Sequence, residues 1–385
     1  MLLYHFSEVG WPNLPEPEEE ESFRVTLPSK NYDPAVGNDV YNQRLDEWCL
    51  ADELGINIML NEHHQTPTCV VPSIAVISGA LARQTKNVRI LQLGNPVGNR
   101  RDPVRVAEET AMVDVISGGR LDCGFVRGVP FEIAPANSNP TTQQERLWES
   151  VDLVIKAWTT QDGPFRWEGK HFNYRSVNVW PRPLQQPHPP LWMPTNSTTT
   201  ARELGRRKWV CATMATGYDG AKRIFDAYRK SYRETHGAEP APDRFAFLGF
   251  CHVNESEAAA RAGVDELFWY LRNDKVAPQF GMPPGYAPAE AFVAMQLGKN
   301  PFGELRKPDL DYQDKIGNLY WGTPDMVVEK IKEFHRRVGG VGHMMLMGQA
   351  GPTPFAKTAA HLKLLAGEVY PRLKELSAPE ARAAE

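Results

Sequence analysis

Two adjacent histidines, His63 and His64, follow the apolar run INIML at residues 56–60, where a strand is expected to end. Imidazole can bind a metal ion or transfer a proton at neutral pH. Adjacent side chains at a strand end point in opposite directions, and no further His, Asp or Glu set has the helical spacing of metal ligands. No metal site is therefore expected, and the alternatives are one proton-transferring histidine or two ordinary loop histidines.

A candidate anion site is formed by two arginines and a hydroxyl-rich turn. Arg127 directly follows an apolar segment, a position where a charge is costly unless an anion binds there, and Arg146 opens a predicted helix. The turn consists of Thr195, Asn196, Ser197 and Thr198. It precedes another helix, and helix N-termini bind phosphate through free N–H groups. Surface salt bridges and an ordinary helix cap are the alternatives.

The combination of these features favours a phosphate site, because barrels commonly carry one on their later loops. The dinucleotide fingerprint GxGxxG does not follow the first strand, and no P-loop pattern occurs. One phosphate site without that fingerprint predicts a mononucleotide such as FMN.

The elements that must position these residues alternate between short apolar runs and longer amphipathic stretches. Eight such strand-then-helix units favour a closed (β/α)₈ barrel over an open sheet, with the working residues at the strand ends. The predicted strands are 2–6, 56–60, 88–93, 120–126, 189–193, 208–214, 245–253 and 343–348. One barrel domain is expected over 1–376, followed by a frayed tail over 377–385. The Pro-rich segment 272–318 is expected to cover the site.

The composition limits the classes of partner. The net charge is −4, so there is no basic excess to bind nucleic acid or an anionic membrane. The N-terminus lacks the features of a signal peptide, and no apolar run is long enough to cross a membrane. The five cysteines are scattered and form no CxxC pair, which fits a reducing cytoplasm.

The sequence resembles the bacterial luciferase-like monooxygenases over about residues 2–373. Four segments carry this resemblance, and the most specific of them, residues 102–128, follows the predicted third strand. These segments are EHH at 62–64, DPVRVAEETAMVDVISGGRLDCGFVRG at 102–128, PLQQPHPPLWMPTNS at 183–197 and YWGTPDMVVEKIKEF at 320–334.

The resemblance implies a (β/α)₈ barrel that uses reduced FMN and O₂ to insert one oxygen atom into a substrate. It implies that His63 takes part in proton transfer and that Arg127 and Arg146 contact the FMN phosphate, which the turn at 195–198 surrounds. Leu93-Gly94 matches the place where the family often has a non-prolyl cis peptide beside the isoalloxazine.

The sequence also departs from luciferase at two positions. Asn95 is expected to place an amide near the flavin ring and to make the pocket more polar. Val126 replaces the reactive cysteine of luciferase, which argues against light emission from long-chain aldehydes.

Three functions are compatible with the sequence. The first is an FMNH₂-dependent monooxygenase served by a separate NAD(P)H:flavin reductase. The second is a deazaflavin (F420)-dependent oxidoreductase, and the third is a non-catalytic flavin-binding protein. The FMN enzyme is favoured by the two arginines and by the retained His63. A homodimer is expected through helix 72–85, whose small residues would let a partner helix approach closely.

Overall fold

The computed structural model describes residues 1–297 and 307–377 and has a closed barrel of eight parallel strands. In their order around the barrel, the strands are β1 (Leu2–Glu8), β2 (Asn57–Leu60), β3 (Ile90–Asn95), β4 (Leu121–Phe125), β7 (Leu191–Pro194), β8 (Val210–Met214), β9 (Phe245–Val253) and β11 (His343–Ala350). Pairing of β1 with β11 and of β8 with β9 closes the ring. The predicted (β/α)₈ barrel is confirmed.

Three further strands lie outside this ring. β5 (Phe165–Glu168) and β6 (Asn173–Val177) form a separate antiparallel pair. β10 (Leu319–Gly322) pairs with the second half of β9, on the edge that β8 occupies in the first half. Strand β9 therefore changes its partner from β8 to β10 at Gly249. An added Cβ at this position would lie 2.8 Å from the carbonyl oxygen of Asn318.

Helices surround the barrel and connect its strands. They are α1 (Pro34–Glu53), α2 (Ile74–Gln84), α3 (Pro103–Ser117), α4 (Gln143–Thr159), α5 (Thr198–Arg207), α6 (Gly217–His236), α7 (Glu257–Leu267), α8 (Trp269–Arg272), α9 (Pro278–Gly281), α10 (Ala289–Gln296), α11 (Leu310–Ile316), α12 (Pro324–Arg337) and α13 (Phe355–Leu364). α1 and α3 both begin with proline, and each is capped by the preceding aspartate, Asp33 or Asp102.

The core has two layers, because strand side chains alternate between the barrel interior and the helices. Apolar side chains that share the interior layer are Tyr4, Phe6, Met59, Leu91, Leu93, Trp192, Leu248, Met345 and Met347. The outer layer packs the other strand faces against the helices. Cys69, Cys123, Cys211 and Cys251 are buried, and burial raises the pKa of each of these thiols.

Two parts of the predicted layout differ from the structure. The first helix begins at Pro34 rather than near residue 41, so the preceding acidic loop is shorter than expected. The segment 272–318 is more ordered than its composition suggests, because its described residues contain α9, α10 and α11. Residues 298–306 of that segment and residues 378–385 of the predicted tail lie outside the described residues. Among the described residues, no helix is long and apolar enough to span a membrane.

Candidate active site

The Glu62-His63-His64 segment leaves β2 with its side chains on alternating sides. The Glu62 carboxylate faces the wall, where it accepts the backbone N–H of Ile74 at 2.8 Å and contacts Arg100. The Nε2–H of His64 donates to Oε1 of Glu62 at 3.0 Å. These contacts hold Glu62 and His64 on one side of the segment, and His63 contacts Glu132 on the other.

His63 is held by a buried carboxylate. Its Nδ1 donates to Oε1 of Glu132 at 3.0 Å, and the same oxygen accepts the backbone N–H of His64 at 2.9 Å. The ring of Phe131 lies 5.9 Å from the imidazole, centroid to centroid, and the side chain of His63 is 17% exposed. With Nδ1 occupied, a neutral His63 presents Nε2 as a proton acceptor.

The charges of this pair stabilise each other. Burial lowers the pKa of His63, but the hydrogen bond and charge of Glu132 outweigh burial and raise that pKa above its ordinary value of 6.5. Burial raises the pKa of Glu132, but the contact with His63 lowers it below its ordinary value of 4.5. The pair thus favours a protonated His63 beside an ionised Glu132, and a role of His63 in proton transfer stays a prediction.

Replacing Glu132 with glutamine is expected to shift the acid limb of the pH–rate profile to lower pH. Glutamine keeps the size of the side chain but removes the charge that raises the pKa of His63. A proton acceptor works in its neutral form, so the variant should stay active at lower pH than the parent. Profiles of kcat/KM against pH measure this shift. An acid limb that stays in place would show that another group controls it.

The same variant has a second expected effect, on stability. His63, with a raised pKa, contributes stability that is complete below pH 6.5 and is lost as the pH rises through its folded value. Glu132, with a lowered pKa, contributes stability that is complete above pH 4.5 and is lost as the pH falls. Thermal melts of parent and variant should therefore differ most between pH 4.5 and 6.5.

The peptide bond between Leu93 and Gly94 is cis, as the sequence predicts. An added Cβ on Gly94 would lie 2.8 Å from the carbonyl oxygen of Gly124, so only glycine fits without movement of the backbone. The Asn95 side chain donates to Oε1 of Gln92 at 3.0 Å. Gln92 in turn donates to Ser78 of α2, so the Asn95 amide is held within the wall between β3 and α2.

Arg127 follows β4 and has no carboxylate partner among the described residues. Its guanidinium lies 3.6 Å from the centroid of the Tyr286 ring and donates to the Tyr286 carbonyl oxygen at 3.3 Å. The Tyr286 hydroxyl donates to the carbonyl oxygen of Gly128 at 2.8 Å. The segment between β9 and β10 therefore lies against the end of β4, next to the predicted phosphate site.

Arg146 also lacks a carboxylate partner within the described chain. It donates to the carbonyl oxygens of Gly98 at 3.3 Å and Arg100 at 2.9 Å, and its guanidinium lies over Phe172. Burial lowers the pKa of Arg146. These contacts direct Arg146 toward the loop after β3.

The first turn of α5 borders a cavity of about 400 Å³. Ser197 caps this helix, and Oδ1 of its neighbour Asn196 accepts a hydrogen bond from the Thr213 hydroxyl at 2.9 Å. The Thr195 hydroxyl accepts the backbone N–H of Ser197 at 3.0 Å. The residues lining the cavity are Gln144, Trp148, Ser197, Thr199, Thr200, Glu203 and Arg206.

Some of the residues predicted to bind phosphate lie on elements that contact each other in the structure, whereas Arg146 points to another side of α4. Gln143 of α4 donates to the Arg127 carbonyl oxygen at 2.6 Å, so α4 and the end of β4 are in contact. Gln144 and Trp148 of α4 reach the α5 cavity, whereas Arg146 lies about 200° around the helix from Gln144. Phosphate binding by all of these groups together remains a prediction.

Two residues of the candidate site were missed by sequence reasoning: Glu132 and Tyr286. Each lies far in sequence from the residue that it contacts, and neither falls in a recognisable spacing pattern. Among the described residues, no group of three or more His, Cys, Asp or Glu side chains could hold a metal ion.

Comparison with known proteins identifies the family. The model of the luciferase-like monooxygenases matches residues 23–340. This chain belongs to the luciferase-like monooxygenase family. The predicted resemblance is confirmed, and the matched region includes His63, Glu132 and Arg127.

Two curated relatives match part of this luciferase-like chain. The uncharacterized protein y4wF of Sinorhizobium fredii is 33% identical over 198 residues, which are 50% of this chain and 57% of that protein. The oxygenase component of the flavin-dependent trigonelline monooxygenase of Acinetobacter baylyi is 30% identical over 165 residues, which are 42% of this chain and 45% of that protein. The chain thus spans about half the length of these two relatives.

Solved structures share the fold over a longer range. The oxygenating constituent of 3,6-diketocamphane monooxygenase of Pseudomonas putida, in complex with FMN, is 23% identical with a TM-score of 0.70, covering 87% of this chain and 93% of that one. An F420-dependent secondary alcohol dehydrogenase is 17% identical with a TM-score of 0.66, covering 97% and 98%. At these identities, the likeness concerns the fold alone.

Proposed function

We propose that this luciferase-like protein is a monooxygenase that uses reduced FMN and O₂ to insert one oxygen atom into a small organic substrate. The observation that carries the proposal is the His63–Glu132 pair, which presents Nε2 of the imidazole at the carboxyl ends of the barrel strands. Family membership and the flavin named for the Acinetobacter relative support the choice of cofactor.

The residues present fit FMN at two points. Arg127 and Arg146 are cations without carboxylate partners in the described chain, and the open first turn of α5 adds N–H donors, so the phosphate would be held there. Glycine at position 94 lets the end of β3 lie close against the Gly124 backbone of β4, and the family resemblance would place the flat ring beside the cis peptide bond between Leu93 and Gly94. Reduced FMN, when bound, would supply the two electrons that activate O₂.

The chain itself contributes proton transfer. Nε2 of His63 would accept a proton from the bound substrate and return it when the second oxygen atom leaves as water. Glu132 orients the ring through Nδ1 and stabilises the imidazolium that forms. The Tyr286 segment lies over Arg127 and restricts the access of water to that side of the site.

The proposal also includes a second protein. The Acinetobacter relative is named as an oxygenase component, which favours a separate NAD(P)H:flavin reductase that supplies FMNH₂. No part of the fold described above resembles a nicotinamide-binding sheet, and no dinucleotide fingerprint follows the first strand.

The experiment is to incubate the chain with FMNH₂ and ¹⁸O₂ in the presence of ketone, sulfone and N-methylpyridinium carboxylate substrates. We expect one ¹⁸O atom in a product, detected by mass spectrometry. Hydride exchange with reduced F420 and no oxygen uptake would instead assign a deazaflavin oxidoreductase. Binding of flavin with neither reaction across the panel would favour a non-catalytic flavin protein.

We further propose that the chain forms a homodimer through α2 and α3. Four apolar side chains are exposed on these adjoining helices: Val76 is 70% exposed, Met112 50%, Val115 43% and Ile116 45%. Exposed apolar side chains grouped in this way commonly mark an interface. Two of the small residues expected at the interface, Ser78 and Ala82, are instead buried in the wall of this chain.

Replacing Val76 and Ile116 together with aspartate is expected to convert the dimer into a monomer of 43.3 kDa. Carboxylates brought together at an apolar interface should weaken association by about a hundredfold or more. Light scattering at micromolar concentration measures the mass. Arg223→Asp, an exposed change on α6, is the control and should remain dimeric. A monomeric parent chain would disprove the proposal.

A further inference from the structure

Glu8 is a buried carboxylate at the opening of the barrel. It is 1% exposed and lies opposite Ala350, which belongs to the interior layer. Its two oxygens accept hydrogen bonds from Nδ2 of Asn61 at 3.0 and 3.2 Å. No Lys, Arg or His nitrogen of the described residues lies within ion-pair distance of it, although burying an uncompensated carboxylate is costly.

Arg24 is a buried cation with an unused donor. It is 2% exposed, and its Nε donates to Oδ1 of Asp274 at 2.7 Å. Its guanidinium carbon lies 4.4 Å from the centroid of the Phe131 ring, the same ring that lies beside His63. Nη1 of Arg24 is buried and has no hydrogen-bond partner. An unpaired N–H of a buried guanidinium is a strong site for an oxygen acceptor.

These two groups act on the same imidazole. Burial and Glu132 have the largest effects on the pKa of His63. The charge of Glu8 also raises this pKa, and the charge of Arg24 lowers it, so Glu8 and Arg24 both lie within electrostatic range of the ring. Asp274 already compensates Arg24, and Glu132 already pairs with His63. Among the described charged groups around His63, Glu8 is the one without an ion-pair partner, although it lies within electrostatic range of Arg24.

We propose that the substrate carries a positively charged nitrogen, held by Glu8, and an oxygen acceptor, held by Nη1 of Arg24. This inference rests on the proposed monooxygenase function, because it takes the opening beside His63 as the substrate site. A cationic nitrogen supplies the charge that Glu8 lacks, and a carboxylate or carbonyl oxygen on the same molecule uses the free donor of Arg24. Both contacts place the reacting part of the molecule beside Nε2 of His63.

The test uses three ligands of one shape and different charge: 1-methylpyridinium-4-carboxylate, 1,4-dimethylpyridinium and 4-methylbenzoate. Calorimetry measures their binding to the full chain, with and without FMN. We expect the zwitterion to bind most tightly, the cation next and the anion least. Tighter binding of 4-methylbenzoate than of the cation would overturn the proposal.

Two variants assign the contacts. Glu8→Gln keeps the hydrogen bond from Asn61 but removes the charge, and should weaken the two pyridinium ligands by about tenfold to a hundredfold while leaving 4-methylbenzoate unchanged. Arg24→Lys keeps one positive charge for Asp274 but loses the second N–H donor. It should weaken the binding of only the two ligands that carry a carboxylate. Glu21→Gln, an exposed change near Arg24, is the matched control. Equal losses for all three ligands in Glu8→Gln would indicate structural damage and contradict charge recognition.

The two proposals fail separately. Calorimetry without FMN reports on Glu8 and Arg24 alone, whereas uptake of ¹⁸O reports on the oxygenase reaction. Charge-selective binding without oxygen incorporation would retain the ligand class and reject the monooxygenase. Oxygen incorporation into neutral ketones, with no effect of Glu8→Gln, would retain the monooxygenase and reject the ligand class.

Discussion

His63→Ala is expected to lower the rate of product formation by about 10²–10⁴-fold, the range of general acid–base catalysis. The variant removes the imidazole that contacts Glu132, while Glu132 and the backbone stay in place. FMN affinity should change little, because the predicted phosphate contacts lie at β4, α4 and α5. Single-turnover formation of oxygenated product and FMN titration measure the two effects.

His64→Ala is the matched control for this prediction. It loses the hydrogen bond to Glu62 but keeps the backbone N–H that Glu132 accepts. Since the His64 side chain is 28% exposed, we expect a loss of about 0.5–1.5 kcal/mol in unfolding free energy and near-normal chemistry. The opposite result, with chemistry lost in His64→Ala and kept in His63→Ala, would reverse the assignment of the two rings.

Arg127→Ala should weaken FMN binding by about 10–150-fold, the loss of one charge-assisted phosphate contact of roughly 1.5–3 kcal/mol. In the structure the guanidinium is held by the ring and carbonyl of Tyr286, which leaves its charge unneutralised by any carboxylate of the described chain. Flavin fluorescence titration measures the affinity, and circular dichroism checks the fold.

Tyr286→Phe separates phosphate binding from packing. It retains the ring over Arg127 and removes only the hydroxyl that donates to Gly128. FMN affinity close to that of the parent is expected for this variant. If Arg127→Ala bound FMN as well as the parent while remaining folded, the phosphate site would have to be placed elsewhere.

The fold was predictable because its strands are short apolar runs separated by amphipathic helices, a local pattern. β10 was missed because Leu319–Gly322 is only four residues long and is a strand through its pairing with the second half of β9. The start of α1 was missed because residues 34–40 carry little apolar periodicity. Asp33 and Pro34 were the available signal, since they form a typical helix start.

The candidate site was predictable only in part. Alternation predicts that His63 and His64 have different surroundings, and the structure places them against different carboxylates, Glu132 and Glu62; their separate roles stay a prediction. The hydrogen bond of the Asn95 amide to Gln92 could not be predicted from the sequence, because it depends on how β3 packs. Glu132 lies 69 residues from His63, and contacts over such a distance depend on the packed loops rather than on local sequence.

The burial of the cysteines has a consequence for the lifetime of the enzyme. Oxygenases that release activated oxygen too early generate hydrogen peroxide, which attacks thiolates rather than thiols. Burial raises the pKa of Cys69, Cys123, Cys211 and Cys251 and keeps them protonated at neutral pH, and the pKa of the partly exposed Cys49 is raised as well. The described cysteines would therefore offer little thiolate to peroxide released by an oxygenase reaction.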